Sequence, residues 1–245
     1  MAEMPFTVTI DAAKGVATIE LARPDNGNRL TAPEVQALGK AIREAGGRKE
    51  VKAVVARAQG DAFCLGRVPG TGPQPKTALD IRTQVADPIL SLYADVRATE
   101  VPVIALPQGP ALGFGTAFVG VCDLAIAADT AKFAFTEMAH NLPPTLAMSA
   151  VLEKIPFKAM MHMVLTREEI DGNAALRLGL VSQVAPRAGL DAALAATLAK
   201  LTDRDRSALC AVKEYQNAAW NLDTHAAARL GAGIIGTILA SQAGH

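Results

Sequence analysis

The chain has 245 residues, of which 50% are hydrophobic and only 4% aromatic, so it can bury one large core built mainly from Ala, Val, Leu and Ile. It carries 24 basic and 24 acidic residues, and this balance argues against nucleic acid as the main partner. The 3 cysteines have neither a CxxC pattern nor a zinc-type spacing, which predicts reduced thiols and no metal site.

Two segments bear on targeting and membranes. Residues 1–15 combine alternating apolar residues with charges, so no signal or transit peptide is predicted and we expect a cytoplasmic protein. Residues 103–122 carry no charge and are long enough to cross a bilayer. Prolines and glycines interrupt them repeatedly, as in the turns of soluble folds, so no membrane association is expected.

The first elements are a hairpin and a capped helix. Residues 6–10 and 16–21 alternate in polarity on either side of a turn, which predicts two antiparallel strands. Thr31 with Glu34 three positions later forms a capping-box pattern, which predicts that a helix begins here.

A glycine-rich corner follows the next strand. The apolar run at 51–58 predicts a buried strand, which leads into the corner at 60–70 and then a flexible segment at 70–75. Residues 77–98 predict a long amphipathic helix. The residues expected on its buried face are Ile81, Val85, Ile89, Leu90 and Leu92.

A second glycine-rich corner lies within residues 101–123. A short apolar strand at 103–106 meets a Pro-Gly turn, then Gly113-Phe114-Gly115 and the start of a helix. Glycines let a backbone approach a ligand closely, and the first N–H groups of a helix have no partner within it. Such a corner can hold a phosphate or the oxyanion of an attacked or enolised carbonyl. No dinucleotide-binding or P-loop motif is present.

The rest of the chain adds short strands and then mostly helices. Strands are predicted at 124–128, 132–135 and 180–184. Helices are predicted at 146–155, 158–165, 172–178, 190–200 and 205–240, the last with a break at 221–223.

Several motifs in the right order resemble the crotonase superfamily, the enoyl-CoA hydratase/isomerase family. AFCLG at 62–66 is similar to that family's AFxAG corner, and residues 102–128 resemble its PVIAAVNGxAxGGGxELALACDxxIA motif. KFAFTEM at 132–138 resembles AxFxxPEx. Further matches, LxRPxxxNxLT at 21–31 and AxxxGLVxxVxP at 174–186, extend the resemblance over nearly the whole chain.

This resemblance implies an α/β fold. Residues 1–186 would form a crotonase-like core, a superhelix of ββα units, and residues 187–245 a C-terminal helical oligomerisation segment. The segment would pack between subunits of a homo-oligomer, either a trimer or a dimer of trimers. The substrate implied is an acyl-CoA thioester, with no metal or cofactor apart from the CoA that the substrate carries.

The resemblance also assigns the reacting groups. The backbone N–H groups of Arg67 and Phe114 would form an oxyanion hole for the thioester oxygen, where one donor is worth about 3–4 kcal/mol. Glu137 matches an acidic residue of the family and would be the acid/base. The corner residues expected to bind the substrate are Cys64, Gly66, Gly113, Gly115 and Ala117.

Four other side chains are candidates for a role in or near the site. Arg29 and Lys213 could reach CoA phosphates, with simple solvation as the alternative. His140 is a candidate for substrate binding and, as a histidine, for proton transfer, with a structural role as the alternative. Asp123 is expected to accept hydrogen bonds that fix the second corner.

Two departures from the family bear on the reaction. Ala117 stands where family hydratases have a second acidic residue, and water addition needs both a base for the water and an acid for the α-carbon. One carboxylate can instead move a proton between two carbons, so we expect isomerase-type chemistry, with thioester hydrolysis and decarboxylation open. Phe114 replaces a family glycine and either narrows the acyl pocket, turns away from it or fills the core. The competing hypothesis is a non-catalytic acyl-CoA binder or scaffold.

Overall fold

The computed structural model describes residues 4–68 and 75–243. The predicted flexible segment at 70–75 therefore lies outside the described residues except for Pro75, as does the end of the first corner at 69–70. Within the described ranges, no helix combines the length and the apolarity that crossing a membrane requires.

The strands form two sheets. The larger sheet has the order β1-β2-β3-β4-β6-β9 and the smaller one β5-β7-β8. In the larger sheet β1 and β2 are antiparallel, as the predicted hairpin requires, and the other neighbours are parallel. The strands are β1 (Phe6–Asp11), β2 (Val16–Leu21), β3 (Ala53–Ala58), β4 (Val103–Ala105), β5 (Ala111–Leu112), β6 (Leu124–Ala128), β7 (Lys132–Ala134), β8 (Ile170–Asp171) and β9 (Gln183–Ala185).

Helices alternate with strands in the first part of the chain and predominate in the C-terminal part. The helices are α1 (Ala32–Gly46), α2 (Ala78–Ile81), α3 (Asp87–Ala98), α4 (Phe114–Val121), α5 (Thr145–Ser149), α6 (Phe157–Thr166), α7 (Gly172–Leu178), α8 (Leu190–Thr202), α9 (Arg206–Ala219) and α10 (Thr224–Ala243). The predicted break at 221–223 is confirmed between α9 and α10. The helix predicted at 146–155 is wrong in extent, because α5 ends at Ser149 and turns follow it.

The capping-box prediction at Thr31 is confirmed. Glu34 accepts a hydrogen bond from the backbone N–H of Thr31 at 2.8 Å, and its other oxygen pairs with Arg23 at 2.6 Å. These contacts hold the start of α1 against the loop that precedes it.

The predicted helix at 77–98 forms, but its buried face differs from the prediction. Ile89 and Leu92 are buried, whereas Ile81 is 50% and Leu90 42% exposed. A π-helical turn at Arg82–Ala86 separates α2 from α3, and its wider winding puts the two halves of a 3.6-residue stripe on different faces. The buried face of α3 includes Tyr93 and Val96 instead, and it packs against α1.

The two sheets meet where strands turn out of the larger one. The chain leaves β4 through residues 106–110 and enters β5, and it leaves β6 through residues 129–131 and enters β7. Cys64 extends the smaller sheet through a bridge with Ala111, which in turn pairs with Phe133. The segments that leave three parallel strands of the larger sheet thus lie side by side, and this brings the two glycine corners together.

Candidate active site

The first corner is held by a buried asparagine that sequence reasoning did not single out. Asn28 is 1% exposed, and its side-chain amide donates to the carbonyl oxygens of Gln59 and Ala62, both at 2.9 Å. Its side-chain oxygen accepts the backbone N–H of Arg23 at 2.9 Å. The asparagine of the LxRPxxxNxLT segment therefore ties the loop after β2 to the end of β3.

The backbone at Arg67 presents a free donor. Leu30 and Arg67 form a parallel bridge, in which Leu30 N–H donates to the Gly66 oxygen at 3.3 Å and Val68 N–H to the Leu30 oxygen at 3.0 Å. This pattern turns the Arg67 N–H to the opposite side, where it finds no acceptor among the described residues. Gly66 has a φ of 105°, a conformation that favours glycine.

The second corner presents another free donor. Phe114 is the first residue of α4, so its N–H has no acceptor within the helix, and no other described residue accepts it. The preceding Gly113 has a φ of 54°. Thr116, fully buried, fixes this geometry, because its hydroxyl donates to the Ala111 oxygen at 2.7 Å and accepts the Ala134 N–H at 3.2 Å. The hydroxyl thus ties the start of α4 to β5 and β7.

The two corners are in direct contact. The Phe63 and Cys64 N–H groups donate to the Pro110 oxygen at 3.0 and 3.3 Å, and the Leu112 N–H donates to the Cys64 oxygen at 2.9 Å. A Cβ on Gly115 would overlap the carbonyl group of Cys64, so only glycine fits at this approach. The helix start that carries the Phe114 N–H is therefore seated directly on the corner that carries the Arg67 N–H.

Glu137 lies at the same place. It follows β7 and opens a 3-10 turn, and a Cβ built on Gly113 would lie 3.1 Å from its Oε1 atom. Its Oε2 atom is buried and has no hydrogen-bond partner among the described residues. Burial raises the pKa of Glu137, while the N–H groups of Glu137 and Thr136 and the charge of Arg67 oppose this rise. The structure thus joins one carboxylate of raised pKa to both glycine corners.

The side chains of Phe114 and Ala117 are part of the core. The Phe114 ring is 4% exposed and stacks on Phe118 with ring centroids 6.2 Å apart, and Phe118 stacks on Phe63 at 5.8 Å. Of the alternatives for Phe114, core filling is confirmed. Ala117 is fully buried in α4.

The other predicted substrate-binding residues are arranged around this point. Cys64 is fully buried, and burial raises the pKa of its thiol to about 12, as expected of an inert cysteine. The Arg29 guanidinium donates to the Asn26 oxygen at 3.0 Å, one residue before the Leu30 bridge. His140 is exposed at the end of the turn that Glu137 opens, and its side chain makes no hydrogen bond to a described residue.

Lys213 does not lie on the surface, so both predictions made for it are wrong. It is 6% exposed, and its Nζ atom donates to the oxygens of Val96 and Val101 at 2.9 and 3.2 Å and to Asp123 at 2.7 Å. A lysine stem can cross a buried region when its ammonium group finds oxygens at the end. Asp123 also accepts the Val103 N–H at 2.7 Å, which confirms its expected structural role.

A cavity of about 820 Å³ lies beside α9, at the C-terminal end of α4. Its lining includes Lys213, Asp123 and Trp220 but not Arg67, Phe114 or Glu137. The candidate site is therefore identified by the chemistry of its free N–H groups and its buried carboxylate, and not by this cavity.

Known proteins resemble this chain over most of its length. The family model for enoyl-CoA hydratase/isomerase matches residues 11–240. The chain belongs to the enoyl-CoA hydratase/isomerase family. Enoyl-CoA hydratase domain-containing protein 3, mitochondrial, from Rattus norvegicus is 28% identical over 195 residues, which are 79% of this chain and 64% of the rat protein.

Solved structures of this family share the fold of the whole chain. An enoyl-CoA hydratase from Mycobacterium smegmatis matches with a TM-score of 0.90 and 26% identity, over 97% of this chain and 91% of the other. A protein from Thermobifida fusca YX, crystallised in complex with CoA, matches with a TM-score of 0.88 and 28% identity, over 99% and 95% of the two chains. The predicted crotonase fold is thereby confirmed.

Sequence reasoning missed three residues that lie in or beside the site. Asn28 stands in the LxRPxxxNxLT motif, and its positive φ of 55° and its amide contacts are of a kind that asparagine favours. No sequence pattern distinguishes Thr116 from its neighbours in α4. Tyr93 lies four residues after Ile89 on the predicted helix, but the predicted buried face of that helix contains only aliphatic residues.

Proposed function

We propose that the protein is an enzyme that acts on an acyl-CoA thioester through an enolate. The observation that carries this proposal is that the Arg67 and Phe114 N–H groups, which have no acceptor among the described residues, lie on adjoining corners beside the Glu137 carboxylate, whose pKa is raised. Two such donors, fixed before the substrate arrives, stabilise the negative charge that develops on a thioester oxygen.

The proposed reaction moves a double bond along the acyl chain. With the thioester oxygen held by the two N–H groups, the Glu137 carboxylate removes a proton from the α-carbon of a 3-enoyl thioester, and the electron pair delocalises onto the oxygen. The protonated Glu137 then returns the proton to the γ-carbon, which yields the 2-enoyl thioester and regenerates the carboxylate. A raised pKa suits both steps, because an acid/base works best when its pKa lies near the working pH.

Ala117 is the reason to favour isomerisation over hydration. Hydration across the double bond uses a base for the water and an acid for the α-carbon, and the methyl group at Ala117 can do neither. Glu137 alone suffices for a proton shuttle between carbons. The proposed reaction draws on the main chain and one carboxylate, so it calls for no metal or redox cofactor.

The proposed partners are acyl-CoA and further copies of this chain. The CoA complex of the Thermobifida fusca relative supports CoA as the carrier group. The C-terminal helices leave large apolar side chains uncovered, which supports residues 187–245 as the surface that forms a trimer or a dimer of trimers. Those side chains are Val212, Trp220, Ile235 and Leu239. A cytoplasmic location stays part of the proposal.

The experiment compares two reactions of the same enzyme. We expect 3-hexenoyl-CoA to be converted to 2-hexenoyl-CoA, with Glu137→Gln losing this activity. We expect crotonyl-CoA to be hydrated far more slowly than the median enzymatic rate of about 10 per second. Isomerisation by Glu137→Gln at the wild-type rate would contradict the mechanism, and crotonyl-CoA hydration at an enzymatic rate would contradict the preference for isomerisation.

A second candidate is a non-catalytic acyl-CoA binder, which Ala117 favours because one acid/base of the hydratases is missing. Calorimetry with butyryl-CoA separates the two when it is combined with the turnover assay. Binding without turnover of any enoyl-CoA would favour the binder, and absence of binding would leave a scaffold.

A further inference from the structure

Tyr93 has a buried hydroxyl group without a partner. The residue lies in α3 and is 2% exposed, and its phenol oxygen forms no hydrogen bond with any described residue. Buried tyrosine hydroxyls usually find a partner, because an unsatisfied polar group in the interior is unfavourable. The orphaned hydroxyl therefore needs an explanation.

The Oε2 atom of Glu137 is a second buried oxygen without a partner among the described residues, and Glu137 lies near enough to Tyr93 for its charge to act on the phenol. Burial is the main reason that the pKa of Tyr93 lies above its ordinary value, and the nearby charge of Glu137 raises it further while Arg67 lowers it. Burial lowers the pKa of Arg67, and both Tyr93 and Glu137 oppose that shift. Helix α3 thus brings a phenol to the groups of the proposed active site.

The two orphaned oxygens are complementary in chemistry. The Tyr93 phenol is protonated at neutral pH and can donate, whereas an ionised Glu137 can only accept. They are not hydrogen-bonded to each other, so a single group that contacts both has to accept from Tyr93 and donate to Glu137. A hydroxyl group does both. A ketone oxygen cannot donate to the carboxylate, and a second carboxylate would be repelled by it.

We infer that Tyr93 is a binding residue of the acyl pocket and that it holds, together with Glu137, a single hydroxyl group. This inference rests on the proposed function, which places Glu137 beside the acyl chain. The hydroxyl belongs either to the acyl chain, as in a 3-hydroxyacyl-CoA, or to a water molecule that accompanies the substrate.

The test uses Tyr93→Phe, which removes only the hydroxyl, and Tyr215→Phe as the matched control in α9. Calorimetry measures the affinities of 3-hydroxybutyryl-CoA and butyryl-CoA. If the acyl chain supplies the hydroxyl, the wild type and Tyr215→Phe bind the hydroxylated ligand about tenfold more tightly, and Tyr93→Phe loses this preference. If water supplies it, no variant discriminates between the ligands, but the acid limb of the isomerase pH profile moves to higher pH in Tyr93→Phe. The shift has this sign because the carboxylate loses a bridged donor that stabilised its charge.

Two further outcomes decide the inference. If the ligands bind and Tyr93→Phe matches the wild type in both ligand preference and pH profile, the inference is overturned and the proposed function stands. If the wild type binds neither ligand, both are overturned.

A measurement on the unaltered protein guards against a folding defect in the variant. With carbon-13 labelled tyrosine, the Tyr93 ring signal should shift at saturating acyl-CoA and the Tyr215 signal should not, and an unmoved Tyr93 signal would overturn the inference.

Discussion

The two ends of helix α4 differ in how their polar groups are satisfied. At its C-terminal end, Asp123 and the buried Lys213 are bonded to each other, and the remaining donors of the lysine go to the oxygens of Val96 and Val101. At its N-terminal end, the Phe114 N–H, the Oε2 atom of Glu137 and the Tyr93 hydroxyl have no partner among the described residues.

This difference separates folding from function within one helix. A fully bonded polar cluster holds elements together, here β4, α3 and α9, and removing one member leaves its partners unsatisfied. Unbonded groups contribute nothing of this kind to the fold and are available for a ligand. The comparison predicts that substitutions at the N-terminal end change activity and that substitutions at the C-terminal end change stability.

The largest expected effect is that of Glu137→Gln on turnover. Loss of the acid/base should slow the isomerisation of a 3-enoyl-CoA substrate by about 10²–10⁴-fold, since proton transfer contributes that much in general. Urea unfolding should show no loss of stability at pH 7, because burial destabilises the carboxylate more than the Glu137 and Thr136 N–H groups and the Arg67 charge stabilise it. Glu214→Gln, at an exposed position of α9, serves as the control and should change neither quantity.

Gly115→Ala should lower turnover by about 10²–10³-fold, the effect of misplacing one oxyanion donor. The added methyl group would push the start of α4 off the Cys64 carbonyl and move the Phe114 N–H. Gly233→Ala in α10 is the control, because its new Cβ would meet no atom within 4 Å. Steady-state kinetics of both variants, normalised to the folded fraction, would speak against the two-corner geometry if Gly115→Ala kept wild-type turnover.

Lys213→Met should lower the free energy of unfolding by about 3 kcal/mol, while turnover per folded molecule stays unchanged. The substitution keeps most of the stem but removes the ammonium group from three buried or part-buried oxygens, and breaking a buried pair has about this effect. Lys14→Met breaks a pair whose side chains are 80% and 41% exposed, and we expect no resolvable change in the free energy of unfolding. Equal losses of stability in the two variants would show that the Lys213 cluster stabilises the fold no more than an exposed ion pair does.

The smallest effect concerns pH. The raised pKa of Glu137 means that the folded state binds its proton more tightly than the unfolded state does. The wild type therefore loses stability as pH rises from the unfolded value of about 4.3 through the raised folded pKa, and Glu137→Gln lacks this loss. The Tm of the variant minus that of the wild type should rise between about pH 4 and pH 7. A Tm difference that stays flat or falls would show that the fold does not raise the pKa of Glu137.

Local sequence features predicted much of the framework. The alternation at β1 and β2, the capping box at Thr31 and the break before α10 each depend on neighbours in the chain, and each was confirmed. The buried face of the helix at 77–98 could not be read with one period, because the π-helical turn at Arg82–Ala86 changes the winding. The short strands β5 and β8 were missed, since two residues show no periodicity.

The candidate site was predictable to the extent that it follows chain motifs. The placement of Arg67, Phe114 and Glu137 came from a family pattern, and the structure brings their segments together. Gly115 contacts Cys64, and Tyr93 lies near Glu137. Each pair is far apart in sequence, so no local pattern predicts these contacts. Lys213 shows the same limit, because its burial depends on three partners from other elements.

The central claim is that the two corners stabilise an enolate whose proton moves through Glu137. Exchange of the α-protons of butyryl-CoA in D₂O, followed by NMR, reports this step without any later chemistry. We predict that the wild type incorporates deuterium at the α-carbon and that Glu137→Gln does not do so above the uncatalysed rate. Exchange at equal rates in both proteins, or none in the wild type under conditions where butyryl-CoA binds, would contradict the account.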